Sequence, residues 1–261
     1  MFPKVLFFIL IAFQAQGQRI PHSHYFPSTD ALPYHPEFAD VFSASSNLAG
    51  TYKIKSLTAG LAYEQLNRIS ELSERTALIA YPVQKGVGVL KLGQYGYENF
   101  RESNFKIGYS RSLGQLTIGG SLDYNFFKIP GYNGNSFPGF SVSSTIKLSE
   151  KVFYGIQIEH AGMEAGNMST AITAGFSWAA SDLVMIGGEN FHSKATGNYT
   201  RLQLQYHPSD ILFFNTGYIS SGHIFLSTGL SYSKFRVSLA IRFVPHLGIQ
   251  SGIKIIYKRV E

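Results

Sequence analysis

The chain has no cysteine among its 261 residues. That excludes disulfide cross-links and every thiolate metal site. Charge is also scarce: Lys, Arg, Asp and Glu make up 15% of the sequence, against about 25% in ordinary globular proteins. The Ala, Leu, Glu and Lys surplus of a helical bundle is missing. No segment reaches the 18 or so consecutive apolar residues of a membrane-spanning helix. No basic run or nucleic-acid motif accompanies the net charge of +6, so no nucleic-acid partner is expected. What is present is 44% apolar and 15% aromatic residues with a mean hydropathy of only +0.01. That apolar content is too high for a disordered chain.

Residues 1–17 read as a secretory signal. Lys4 is the basic start, 5–13 (VLFFILIAF) the apolar stretch, and Ala15-Gln16-Gly17 the small-x-small cleavage site. The expected mature chain starts at Gln18 and is exported. Residues 18–56 are irregular, rich in proline and histidine, and too short for an independent domain. They are expected either to plug a lumen or to hang in the periplasm.

From residue 57 to 261 the sequence alternates apolar with polar or small residues. Phe235, Val237, Leu239, Ile241 and Phe243 share one face, and Arg236, Ser238, Ala240 and Arg242 the other. Leu122, Tyr124 and Phe126 likewise alternate with Asp123 and Asn125. A period of two belongs to a strand, not a helix. Fourteen such segments are expected, centred near residues 62, 79, 90, 107, 121, 143, 156, 175, 186, 203, 215, 228, 239 and 252. Twelve is the alternative, because 86–95 and 182–190 are apolar or glycine-rich on both faces and their register is weakly specified. Short connections (82–85, 113–115, 149–151, 179–182, 207–210, 233–234) alternate with longer ones (68–74, 95–103, 128–138, 160–168, 191–198). This is the pattern of an all-β, antiparallel, up-and-down transmembrane barrel with short periplasmic turns and longer outer loops. A soluble sandwich has fewer strands. Tyr and Phe near strand ends (Tyr81, Tyr95, Phe100, Phe127, Tyr132, Tyr154, Tyr199, Tyr206, Tyr218, Tyr232, Tyr257) are expected to form interfacial girdles.

Three stretches carry a family resemblance. They are Ser46-Asn47-Leu48-Ala49-Gly50, then 61–65 with 70–73, then Gly86-Val87-Gly88-Val89 with 93–98. In these the chain resembles the PorV/PorQ-type barrels of the Bacteroidetes type IX secretion system, relatives of the FadL-like fourteen-strand barrels. The resemblance implies an outer-membrane location and no catalytic site. It also implies outer-membrane lipid and secretion-system or other outer-membrane proteins as partners.

Candidate chemistry is sparse. His22, His24 and His35 suit a solvated tail better than a metal site. His223 beside Ser220 and Ser221 lacks an acidic partner and a nucleophile elbow. Neither a cofactor, a metal nor an enzymatic activity is therefore expected. By alternation Glu64, Asp123, Glu159, Arg201, Arg236 and Arg242 line the lumen, either as a structural ion-pair network or as a selectivity lining. The arginines stand on late strands and the carboxylates on early ones, so the two sets are expected to face each other across the lumen. Two functions follow. One is a non-enzymatic accessory or scaffold barrel linked to secretion. The other is a FadL-like transporter of a hydrophobic or amphipathic small molecule. The polar inward faces lean to the scaffold.

Overall fold

The computed structural model describes residues 33–65, 72–131, 134–162, 168–194, 197–245 and 248–259. The expected signal segment, His22, His24 and Tyr132 lie outside these residues. Fourteen antiparallel strands follow one another in chain order: β1 (Thr58–Gln65), β2 (Ser73–Val83), β3 (Gly86–Tyr97), β4 (Phe100–Leu113), β5 (Leu116–Lys128), β6 (Asn135–Lys147), β7 (Val152–Gly162), β8 (Met168–Ala179), β9 (Val184–Ser193), β10 (Gly197–Tyr206), β11 (Leu212–Ile219), β12 (His223–Tyr232), β13 (Phe235–Val244) and β14 (Gly248–Lys258). Each pairs with its chain neighbour, and β14 pairs with β1 from Thr58↔Lys258 to Gln65↔Ser251, closing the barrel. Every expected strand centre falls inside a strand. Residues 86–95 and 182–190 belong to strands of their own, β3 and β9, so fourteen replaces twelve.

The wall is inverted relative to a soluble protein. Leu122 is 66% exposed while Asp123 beside it is 6% exposed. On β13, Phe235, Val237, Leu239, Ile241 and Phe243 face out while Ser238 and Arg242 are buried inside. Such a wall satisfies its own backbone by closure and offers a largely apolar surface to a bilayer. Among the described residues no helix is long and apolar enough to cross a membrane.

Two sequence expectations change here. The outer connections are shorter than the polar runs suggested. Residues 95–103 are not a loop: β3 and β4 run on and meet at the two-residue turn Glu98-Asn99. Only three residues separate Ser193 from Gly197. Rim residues of a barrel need not be apolar, so strand and loop look alike there. The girdle also splits. Tyr81, Tyr154, Tyr206, Tyr218 and Tyr232 are exposed on the outer wall, whereas Tyr95, Phe100, Phe127 and Tyr199 share the inward parity of their strands.

Residues 33–56 do not form part of the wall. Two short 3-10 helices, Val41–Ser45 and Leu48–Lys53, sit inside the barrel. The first is capped by Asp40: the Phe42 N–H donates to Asp40 Oδ1 at 2.8 Å, and the Asp40 N–H donates to Ser43 Oγ at 3.0 Å. Val41, Phe42, Ala44 and Leu48 pack on inward Leu78 and Ala80 of β2, Val87 and Val89 of β3, and Ile256 of β14. The lumen is thus not uniformly polar, as its alternation had implied. It has an apolar sector where this segment lies.

A plugged and charge-lined lumen

The segment is fastened to strands around much of the wall. The Asn47 side-chain amide donates to the carbonyls of Ser144 (3.2 Å) and Ile156 (3.4 Å). The Ala49 N–H donates to Ser143 Oγ at 3.0 Å, and the Thr51 and Ser110 hydroxyls are 3.0 Å apart. Tyr34 slots against β7 and β8 at Gly155 and Gly175. A Cβ at either glycine would stand 2.5 Å from the Tyr34 ring, so only glycine leaves room. The Tyr34 hydroxyl donates to Glu189 Oε2 at 3.4 Å. Burial, helped by the Glu189 charge, raises the Tyr34 pKa well above its usual value and keeps the phenol protonated.

His35 is buried edge-on to Phe153 (4.7 Å) and Phe38 (5.6 Å). Burial lowers its pKa, so its ring serves as a packing element. No group of three or more His, Asp or Glu among the described residues has the arrangement of a metal site. Near His223, Ser220 Oγ accepts from the Thr200 N–H at 2.9 Å, which ties it to the wall.

The segment's near end is pH-sensitive. His207, in the turn after β10, lies 5.0 Å from Phe38 and 5.7 Å from Phe213, with Gln205 Nε2 at 2.8 Å. Burial and the nearby Arg236 lower its pKa from 6.5 to about 4. Arg236 itself stacks over Phe213 at 4.9 Å. The packed state therefore binds this proton later than the loosened state does. Its advantage is full above pH 6.5 and is lost as pH falls toward about 4. Hydrogen-exchange protection across residues 34–39, taken relative to the intrinsic exchange rate at each pH, should fall between those pH values, and His207→Phe should flatten the profile.

Toward the opposite end, ionisable side chains fill the lumen. Lys106 and Asp123, directly opposed on β4 and β5, are 3.3 Å apart, and Ser121 Oγ donates to Asp123 Oδ2 at 3.0 Å. Arg201 and Glu189, opposed on β10 and β9, are 2.9 Å apart. Glu64 on β1 lies 3.8 Å from Arg242 on β13. It reaches past β14 at Gly252, where a Cβ would meet Glu64 Cγ at 2.7 Å. Glu159 on β7 is within electrostatic reach of Lys91 and Lys106. Arg236 stands apart, near the short-turn end, with its Nε donating to Ser231 Oγ at 3.0 Å.

The expected separation of arginines from carboxylates across the lumen is therefore corrected. The structure pairs Arg201 and Arg242 with carboxylates on the same stretch of wall, because register and closure bring those strands together. Sequence reasoning also passed over Glu74, Lys91, Glu102, Lys106 and Glu189, all buried inside. Their parity was the available signal. The paired layer is desolvated, with Asp123, Arg201 and Arg242 at most 6% exposed.

Beyond the charges the lumen becomes aromatic. Tyr95 and Phe100 meet edge to face at 6.2 Å, Phe100 and Phe127 lie at 6.4 Å, and Phe127 stacks on Phe137 at 5.4 Å. Phe191 stacks on Tyr199 at 4.8 Å on β9 and β10. The far mouth thus carries inward rings above the ion-paired layer.

These features define a closed fourteen-strand β-barrel, apolar outside, with residues 33–53 packed against its inner face. No family model matches the sequence, and no curated protein is significantly similar to it. Several solved structures share its fold. The Pseudomonas putida toluene transporter TodX superimposes with a TM-score of 0.62 at 11% identity, over 86% of this chain and 95% of TodX. CymD, a monoaromatic hydrocarbon channel, gives 0.60 at 14% identity over 88% and 95%. A FadL homologue of Pseudomonas aeruginosa gives 0.60 at 10% identity over 88% and 96%. The chain therefore shares the barrel fold of these three proteins. Two of these neighbours are described as a transporter and a channel, and none of the three carries the PorV/PorQ part of the resemblance.

Proposed function

We propose that this chain is an outer-membrane barrel that admits a small apolar or amphipathic molecule through a gated lumen. The observation that carries the reading is the arc of inward aromatics at one mouth, on β3 to β6, set above the ion-paired layer and the inner segment. Inward Tyr95, Phe100, Phe127 and Phe137 gain nothing from lipid and offer an apolar solute a first foothold. The roles of the structural neighbours, a toluene transporter and a monoaromatic hydrocarbon channel, support the same class of solute.

The test is uptake of radiolabelled toluene and of a labelled fatty acid by cells that lack their own transporter and express this protein. Uptake above the empty-vector level is expected. Phe100→Glu with Phe127→Glu should lower it about tenfold, the scale of losing two ring contacts. Vector-level uptake of both solutes would overturn the reading. The ion-paired interior supports a second reading, an accessory barrel that carries no solute and presents its rims to secretion proteins. That reading expects no uptake and stoichiometric co-purification of a partner in mild detergent.

A further inference from the structure

The outer wall carries a notch across β1 to β5. Across β1 to β5 one outward row reads Leu61, Ala77, Leu92, Phe105, Tyr124, and the row nearer the far rim reads Tyr63, Arg75, Gln94, Ser103, Phe126. Ala77 leaves a notch between two leucines, and the next row turns polar in its middle. Together they form an apolar groove of about 630 Å³, floored by Leu61, Leu92 and Phe105 and edged by Arg75, Gln94 and Ser103. A second cleft of about 290 Å³ continues to the rim, shares Arg75 and Gln94, and adds Arg101 and Glu98.

We infer that this groove is a specific lipid site. It holds one acyl chain along Ala77 and a phosphate headgroup between Arg75 and Arg101. Three observations fix the chemistry. The floor is apolar and faces the bilayer, so it suits a hydrocarbon chain and not a water-borne solute. Arg75 and Arg101 face outward, and no described carboxylate lies within 4.0 Å of either. Both stand at the far ends of their strands, two positions from Ser73 and one from Phe100, at headgroup depth. Guanidinium groups at that depth match phosphate oxygens in charge and geometry. Glu98 sits beyond them at the turn, so the headgroup that fits also offers hydroxyl donors, as a phosphoglycerol does. The site rests on the barrel spanning a bilayer and is independent of what the lumen carries.

The test places the full barrel in nanodiscs containing equal phosphatidylglycerol and phosphatidylcholine, then releases it for native mass spectrometry. One retained phosphatidylglycerol is expected, in preference to phosphatidylcholine. Arg75→Gln with Arg101→Gln should weaken retention about tenfold, the effect of removing charge-assisted hydrogen bonds. Ala77→Trp should expel the lipid by filling the notch while both arginines stay. Heat-modifiable migration confirms that each variant is folded. It also separates failure of the lipid site from failure of the barrel reading. Equal retention of the two lipids, or unchanged retention in both variants, would overturn the inference. Displacement of the lipid by millimolar inorganic phosphate would do so too, because it would reveal an anion site with no use for the chain.

Discussion

Removing residues 33–53 turns the closed barrel into an ion-conducting pore. The parent protein in a planar bilayer should show no conductance steps, and the deletion variant should show frequent ones. The segment supplies Val41, Phe42, Ala44 and Leu48, which cover Leu78, Ala80, Val87, Val89 and Ile256. Without it that apolar sector meets water. The charged layer also loses a support, since Lys254 Nζ lies 5.1 Å from the Phe42 ring. Closure of the fourteen strands does not depend on the segment, because all the ladder pairings lie within the wall. Hydrated charges relax toward the wall, and a barrel of this size then leaves a lumen. The cysteine-free chain permits a gentler form of the test. Ala49 and Ser143 are neighbours through the Ala49 N–H bond to Ser143 Oγ at 3.0 Å. Ala49→Cys with Ser143→Cys provides the molecule's sole pair of thiols. Oxidation should lock the segment and abolish solute uptake, and reduction should restore it. A deletion variant without conductance steps would move the barrier from the segment to the ion-paired layer.

The same segment explains what the sequence made legible and what it hid. The regular strands, such as β5 and β13, alternate cleanly because one face meets lipid and the other meets polar lumen. The two stretches whose faces looked alike both meet the segment with apolar side chains. In β3, inward Val87 and Val89 are apolar because they pack on it. In β9, inward Met185 packs with Phe38. Their irregular pattern was therefore a record of the plug. The inner face of Glu64, Asp123 and Arg201 could be read from parity, but their partners could not. Glu64 and Arg242 are far apart in sequence and meet only because β14 closes on β1 and because Gly252 leaves a gap. The aromatic mouth was hidden by a composition argument. Phe100 shares parity with Glu102 and Lys106, yet an aromatic near a strand end reads as a girdle until parity is applied residue by residue.

Replacing Arg201 with Met should destabilise the barrel by about 3–5 kcal/mol, the range for stranding one partner of a buried pair. Glu189 is then left without its cationic partner in a site only 7% exposed. It retains the Tyr34 hydroxyl at 3.4 Å but loses the guanidinium at 2.9 Å. A neutral phenol cannot balance a carboxylate, so the loss falls on the segment as well as on the wall. Arg201→Met with Glu189→Gln should recover most of the loss, leaving about 1 kcal/mol, because no unpaired charge remains. Glu189→Gln alone strands the arginine and should cost nearly as much as Arg201→Met. Reversible urea unfolding in lipid vesicles measures all three, and the double-mutant cycle isolates the pair from its neighbours. Hydrogen exchange at residues 34–45 gives the second readout: protection should fall in both single variants and return in the double. If Arg201→Met unfolds within about 1 kcal/mol of the parent, solvent reaches this layer freely. The desolvated ion-paired seal above the plug would then be wrong.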